Sequence, residues 1–582
     1  MTFNYIISVI FLFISFLMYP KSNKSLSIVN QIIYSIGLFF CYQVVMVCFL
    51  SYIKLGGSLL NYSLFNYIIG FILDIIMLKL RKVQQYYFKT QELLWLFLII
   101  VSTFLVVLYR FHGFTTLSYA SDDAAIHYRA ALAFSQVLEK LTSKNYYDII
   151  LNTFDGMMPI SYVNGGMLIR IFSSVSSYKV FMFFDGFCFM LSTMLFFITI
   201  DTFIKKKSFY IFILSMLYGL GFPLNNFIFG FCYLGLGVIV IQLLLYTMME
   251  YKDSINKDII FKGIILFMLL FSVFFSYYLF MPFIYLSIFI YYLYLFKNKK
   301  INFNIFSFYL IGTLIIPFII GFITYFLNFF KSVSHVMGAI SLNGDIYNNI
   351  SPILFFFLIN FIVICYWIKY KKKNFFYISF LCLSCYVLIF FFLYLFNIVS
   401  FYYFCKLFYI YWVYALLFIG IHIYRYRIFM YLVLFIVIVG SVIVINTSSN
   451  NISNTLSKFN VYYYNARNFR DDYIRFYKRD LELVDNAIKY KKVCEYNNEF
   501  LSIGYTYRNM WFYSITGSIP IWQHKSNDRD QLYVMNVFFQ NWEELDDYPC
   551  LLYFYDNNKL DYDKDKYKVL FENDRGIILK KK

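Results

Sequence analysis

Two adjacent carboxylates and an imidazole lie close together in LSYASDDAAIHYRAALAF, Leu117 to Phe134. Asp123 and His127 are four residues apart, the spacing that puts two side chains on one helix face. A carboxylate beside a hydroxyl can take its proton as the oxygen attacks. A second carboxylate, Asp122, makes the two titrate as a pair. A plainer role is also open. The helix dipole favours acids in a first turn, and an Asp–His pair can simply solvate an exposed face. Location separates the two readings. The motif follows one of the most apolar stretches of the chain, where carboxylates would face lipid phosphates. Ser121 is a suitable helix cap. From Asp122 onward Ile126, Ala130, Ala133, Phe134, Val137, Leu138 and Leu141 form an apolar stripe. It is too short of continuous apolar residues to span a bilayer, so it predicts a helix lying along the outer membrane face. Asp122 and Arg129, seven apart, are more nearly aligned than His127 and Arg129.

The elements that hold this motif are membrane helices. The chain has 582 residues, 61% hydrophobic and 14% charged, whereas a soluble domain is nearer a quarter charged. The apolar residues form runs long enough to cross a bilayer. Fourteen helices are expected, near 3–19, 29–53, 59–78, 92–110, 178–201, 208–220, 225–249, 260–277, 282–296, 305–327, 352–368, 375–396, 402–422 and 428–446. The fold class is thus polytopic α-helical, with residues 1–446 as the membrane domain and a large first external loop at 111–177. Residues 447–582 read as a soluble extracytoplasmic α/β domain. In it YPCLLYFY, YKVLFE and GIILKK look like strands, as do KKVCEY and SIPIW, with ENDRG as a turn.

The net charge of +18 does not point to nucleic acid. The basic residues sit in alternate short loops, at Lys21/Lys24, Lys79 to Lys89, Lys205–Lys207, Lys297 to Lys300 and Lys369 to Lys373, among others. The intervening loops carry little beyond Lys54 and Lys331. This is the positive-inside pattern. With an even number of spans it places both termini and the motif outside a plasma (inner) membrane. The N-terminus has no basic start or cleavage site of a signal peptide. Of 10 cysteines, eight lie in or beside spans. Cys494 and Cys550 lie in the tail, where an oxidising compartment permits a disulfide.

Other residues join the candidate set. Asp122, Asp123, His127 and Asp155 are hard ligands for a divalent cation, magnesium or manganese, although no spacing demands one. DGMMPISYVNGGMLIRIF, Asp155 to Phe172, reads either as a re-entrant segment or as a surface loop. Asp74 and Asp185 are carboxylates inside spans.

Many spans, an acidic pair in the first large external loop, a helix beside it and an external C-terminal domain resemble the GT-C glycosyltransferases. The Asp-x-Asp and Trp-Trp-Asp pattern of their oligosaccharyltransferase branch is absent. The resemblance implies a polyprenyl-phosphate-linked sugar donor, membrane lipids around the site, and a glycan, lipid or protein acceptor. It implies an inverting displacement with Asp122 or Asp123 as general base, in cell-envelope glycan assembly or modification. His127, Arg129, Arg170, Lys331, His335 and Lys406 are then the candidates to contact donor phosphate. Two other readings compete. One is a polysaccharide polymerase or ligase acting on lipid-linked glycans; the loop around Lys331 and His335 lacks the arginines expected of it. The other is a lipid-linked glycan transporter or flippase, which internal repeats and mid-membrane charges would mark.

Overall fold

The computed structural model describes the chain except residues 1, 22–24, 54, 56–57, 122, 139–158, 205–207, 252–254, 257, 324–350, 371–373, 423, 425–426, 448–456, 458–460, 470–475, 491–500, 504–510, 513, 516–548 and 556–561. It is 79% helical. Among the described residues twelve helices are long and apolar enough to cross a membrane. That is the architecture of a polytopic helical membrane protein, in which helices satisfy their own backbone hydrogen bonds.

The first elements are α1 (Thr2–Met18), β1 (Leu26–Ser27), α2 (Ile28–Tyr52), α3 (Leu59–Leu80), β2 (Tyr86–Tyr87) and α4 (Thr90–Arg110). Next come α5 (Asp123–Val137), α6 (Pro159–Ile171), α7 (Ser177–Asp201), α8 (Ser208–Leu220), α9 (Phe222–Phe229), α10 (Cys232–Tyr251) and α11 (Ile259–Ser276). The membrane part ends with α12 (Met281–Lys297), α13 (Phe303–Tyr309), α14 (Ile316–Gly321), α15 (Ser351–Tyr370), α16 (Phe375–Leu395), α17 (Phe401–Lys406), α18 (Phe408–His422) and α19 (Arg427–Asn446). A wide π turn, Leu310–Ile315, joins α13 to α14 ahead of Pro317, which has no N–H to donate.

Two of the fourteen expected segments correspond to shorter apolar helices, Thr2–Met18 and Phe355–Trp367. The expected 225–249 helix is instead broken. Gly230 adopts a left-handed φ of 71° and ends α9, and α10 restarts at Cys232. The α8–α9 pair forms one span, Phe209–Phe229, with its kink at Gly221. α7 and α10 are almost wholly enclosed, whereas α3 and α19 turn most of their surface outward. The apolar exteriors of α3 and α19 suit lipid contact.

The tail has α20 (Val461–Asn468), α21 (Lys478–Tyr490), β3 (Leu501–Ile503), β4 (Cys550–Phe554), β5 (Tyr567–Asn573) and β6 (Gly576–Lys581). The sheet order is β3-β4-β6-β5. β3 and β4 are parallel, and β6 runs antiparallel to both neighbours. Three expected strands are therefore present as β4, β5 and β6. Asn573 Oδ1 closes the β5–β6 turn by accepting from the N–H groups of Arg575 and Gly576, at 2.9 and 3.2 Å. The buried Asp480 of α21 accepts from Arg575 Nε at 3.1 Å and Nη2 at 3.3 Å, and from the Tyr477 N–H at 2.8 Å. One ion pair thus pins helix to hairpin. Cys550 is disulfide-bonded; Cys494, like the expected strands KKVCEY and SIPIW, lies outside the described residues.

The tail is seated on the membrane part. Asn465 Nδ2 donates to the carbonyls of Leu220 and Gly221 at 2.9 and 2.7 Å, filling the acceptors left by the kink. Its Oδ1 accepts from Asn225 at 2.9 Å. Arg110 donates to the Asn468 carbonyl at 2.9 Å. Leu117 and Phe476 exchange backbone hydrogen bonds of 3.0 and 3.2 Å.

Candidate functional site

The backbone that carries Asp123 is held from several sides. Ala120 N–H donates to the Ile228 carbonyl of α9 at 2.9 Å. Ser121 Oγ accepts the Asp123 N–H at 3.2 Å, so the serine does stabilise the start of α5, which begins at Asp123. Ala124 packs onto Gly230, where an added Cβ would stand 2.3 Å from the alanine methyl.

α5 is enclosed by other elements rather than half-exposed. Ala124, Ala125, His127, Tyr128, Ala131 and Phe134 are buried, while Ile126, Ala130 and Ala133 are only partly so. The reason is the small-residue face. α6 runs beside α5, and a Cβ on Gly166 would come within 2.6 Å of the Ala131 carbonyl oxygen. The described part of the segment read as either re-entrant or looped is this helix, Pro159–Ile171, buried along most of its length.

His127 consequently points inward, 7% exposed. Its Nδ1 pairs with the Tyr162 hydroxyl at 2.9 Å, and its ring lies 4.5 Å from that of Tyr233. Burial, and then the Lys406 charge, push the imidazole down to about 3. It is therefore neutral near pH 7 and brings no cation to the site. Burial raises the Asp123 carboxyl above its ordinary value, and Lys406 opposes that rise.

Lys406 completes the group. It ends α17, is 4% exposed, and donates to the Tyr233 hydroxyl at 2.9 Å. Its ammonium lies 4.2 Å from the Tyr402 ring centroid, 5.2 Å from Phe231, 5.3 Å from Tyr403 and 5.8 Å from Tyr277. Such ring faces attract a cation. Among the described residues no carboxylate reaches it within ion-pair distance; Asp123 acts on it only through space. The Tyr277 hydroxyl, also buried, has no hydrogen-bond partner among the described residues. A desolvated ammonium that, among the described residues, has rings and one hydroxyl at close range and a carboxylate only at longer range favours an incoming anion.

Three sequence candidates, Asp123, His127 and Lys406, thus meet at one end of the bundle. Arg129 is two positions beyond His127, about 200° round the helix, and points away from them; burial lowers its pKa. Arg170 is eight residues beyond Tyr162 on α6, about 12 Å along the axis, and does not join the group. Asp122, Asp155, Lys331 and His335 lie outside the described residues. Asp123 and His127 are the described members of the suggested metal set, and no group of three or more ligands forms among the described residues. Tyr162, Tyr233, Tyr277, Tyr402 and Tyr403 were not anticipated.

Asp185, a carboxylate inside α7, is fully enclosed beside Tyr119. Tyr119 in turn stacks on Trp511 of the tail at 5.7 Å, as does Tyr128. The tail therefore covers the segment that carries Asp123. The chain matches no family model, and no curated protein or solved structure is significantly similar to it.

Proposed function

We propose that the chain is a membrane glycosyltransferase of GT-C type, acting on the outer face of a plasma (inner) membrane. It moves a sugar from a polyprenyl-phosphate-linked donor to an acceptor hydroxyl. The observation that carries the reading is a carboxylate close to a buried ammonium that has no direct acid partner among the described residues, at one end of an apolar bundle. The tail provides an extracytoplasmic α/β cover over that end.

The chemistry follows from these groups. The acceptor oxygen bonds to the anomeric carbon as the bond from that carbon to the phosphate oxygen breaks. Configuration inverts. The acceptor proton goes to Asp123, whose raised proton affinity makes it a better base than an exposed aspartate. The phosphate leaves on its polyprenyl chain, with its negative charge attracted by Lys406. The Tyr277 hydroxyl is available to donate to substrate. Neutral His127 orients the wall of the site through Tyr162. A divalent cation would find Asp123 and His127 here, and no step above depends on one.

The test is Asp123→Asn in membranes. Glycan product should be lost while the carrier lipid stays bound. Near-normal movement of lipid-linked glycan with no product in either protein would instead support a transporter.

A further inference from the structure

A second site stands at the other end of the bundle. α1, α2, α3 and α11 enclose a groove of about 660 Å³, lined by Phe16, Leu38, Ile72, Ile76, Ile264 and Met268 among others. Small-molecule sites fall in the range of about 300–1,000 Å³. The walls are almost entirely hydrocarbon. Ile72 and Ile264 are half-exposed, so the groove opens sideways.

Its depth matches one lipid leaflet. The lining runs from Ile259 to Met268 on α11 and from Ile69 to Leu80 on α3. By helical rise these stretches are about 14 and 16 Å long. The hydrocarbon core is about 30 Å thick. α11 ends at Ser276, and the next residue, Tyr277, lies beside Lys406, about 27 Å from Ile259. The groove and the Asp123 group therefore occupy opposite leaflets.

Its mouth carries charge. Leu80 lines the groove, and Lys79, Arg81 and Lys82 around it are exposed. Among the described residues Asp258 is the one acid in the lining. Cations outnumber it, and basic residues at a membrane surface attract anionic head groups.

We infer that this groove binds one anionic phospholipid of the leaflet on that side, chains in the groove and phosphate at the basic mouth. The inference does not rest on the proposed glycosyl transfer.

Native mass spectrometry of the full chain in detergent, with phosphatidylglycerol or phosphatidylcholine of equal chain length, tests it. One phosphatidylglycerol should be retained at least tenfold more tightly than phosphatidylcholine. Ile72→Trp with Ile264→Trp should abolish retention, and Ile443→Trp on α19 should not. The triple change Lys79→Gln, Arg81→Gln, Lys82→Gln alters only exposed charges. It should erase the preference without expelling lipid, and it decides the matter if the filled variant does not fold. Equal retention of both lipids by the unmodified chain overturns the inference, as does a preference untouched by the triple change.

Discussion

His127 offers a sharp test at the scale of one residue. Its folded pKa is about 3 and its unfolded value about 6.5. Between these the unfolded chain binds the extra proton, so this contribution to stability is complete above about pH 6.5 and is lost as pH falls toward 3. The loss is on the order of a few kcal/mol. Thermal melts should show a larger fall in Tm from pH 7 to pH 4.5 for the unmodified chain than for His127→Gln. Equal falls would mean that His127 is not buried and neutral. The acid, the imidazole and Lys406 were legible in the sequence because ionisable groups are conspicuous in apolar surroundings. The tyrosines around Lys406 were not, since in a chain with 59 of them none stands out until folding brings four to one place.

At the scale of elements, the α5–α6 contact positions the acid. Gly166→Ala must push aside a backbone oxygen 2.6 Å away, whereas Gly165→Ala meets side-chain atoms at 3.3 Å. The first should cost about 1–3 kcal/mol and the second clearly less, read from Tm; equal shifts would show that the helices are not held this closely. In the tail, Arg575→Met leaves Asp480 buried without its partner and should cost about 3–5 kcal/mol, measured as early melting of the sheet. A near-zero change would remove the pin between α21 and the hairpin. Hydropathy located the apolar segments well, because a bilayer demands continuous apolar length. It did not reveal that α5 is enclosed. Ala124 and Ala131 add little to an apolar stripe, yet their small size lets Gly230, Gly165 and Gly166 approach. The break at Gly230 was hidden for a similar reason, since a glycine between apolar runs reads as part of one helix.

At the scale of the whole molecule, the tail and the membrane part meet over the candidate site. Trp511 is fully buried against Tyr119 and Tyr128. Trp511→Ala should cost about 3–5 kcal/mol and speed release of the tail by limited proteolysis; unchanged cleavage would contradict this docking. Strands β4 to β6 were legible from their β-branched and aromatic runs. The parallel partner β3 was not, because its three residues depend on a pairing far along the chain.

The central claim is that Asp123 removes the acceptor proton, and the pH dependence of a single turnover tests it most directly. Purified chain is mixed with a polyprenyl-phosphate-linked sugar and an acceptor-containing membrane extract, and released polyprenyl phosphate is counted. The rate should climb with pH through a midpoint above the usual aspartate value of about 3.9. Asp123→Asn should be at least about 100-fold slower and lack that limb. An Asp123→Asn chain that keeps both the rate and the limb would contradict the account.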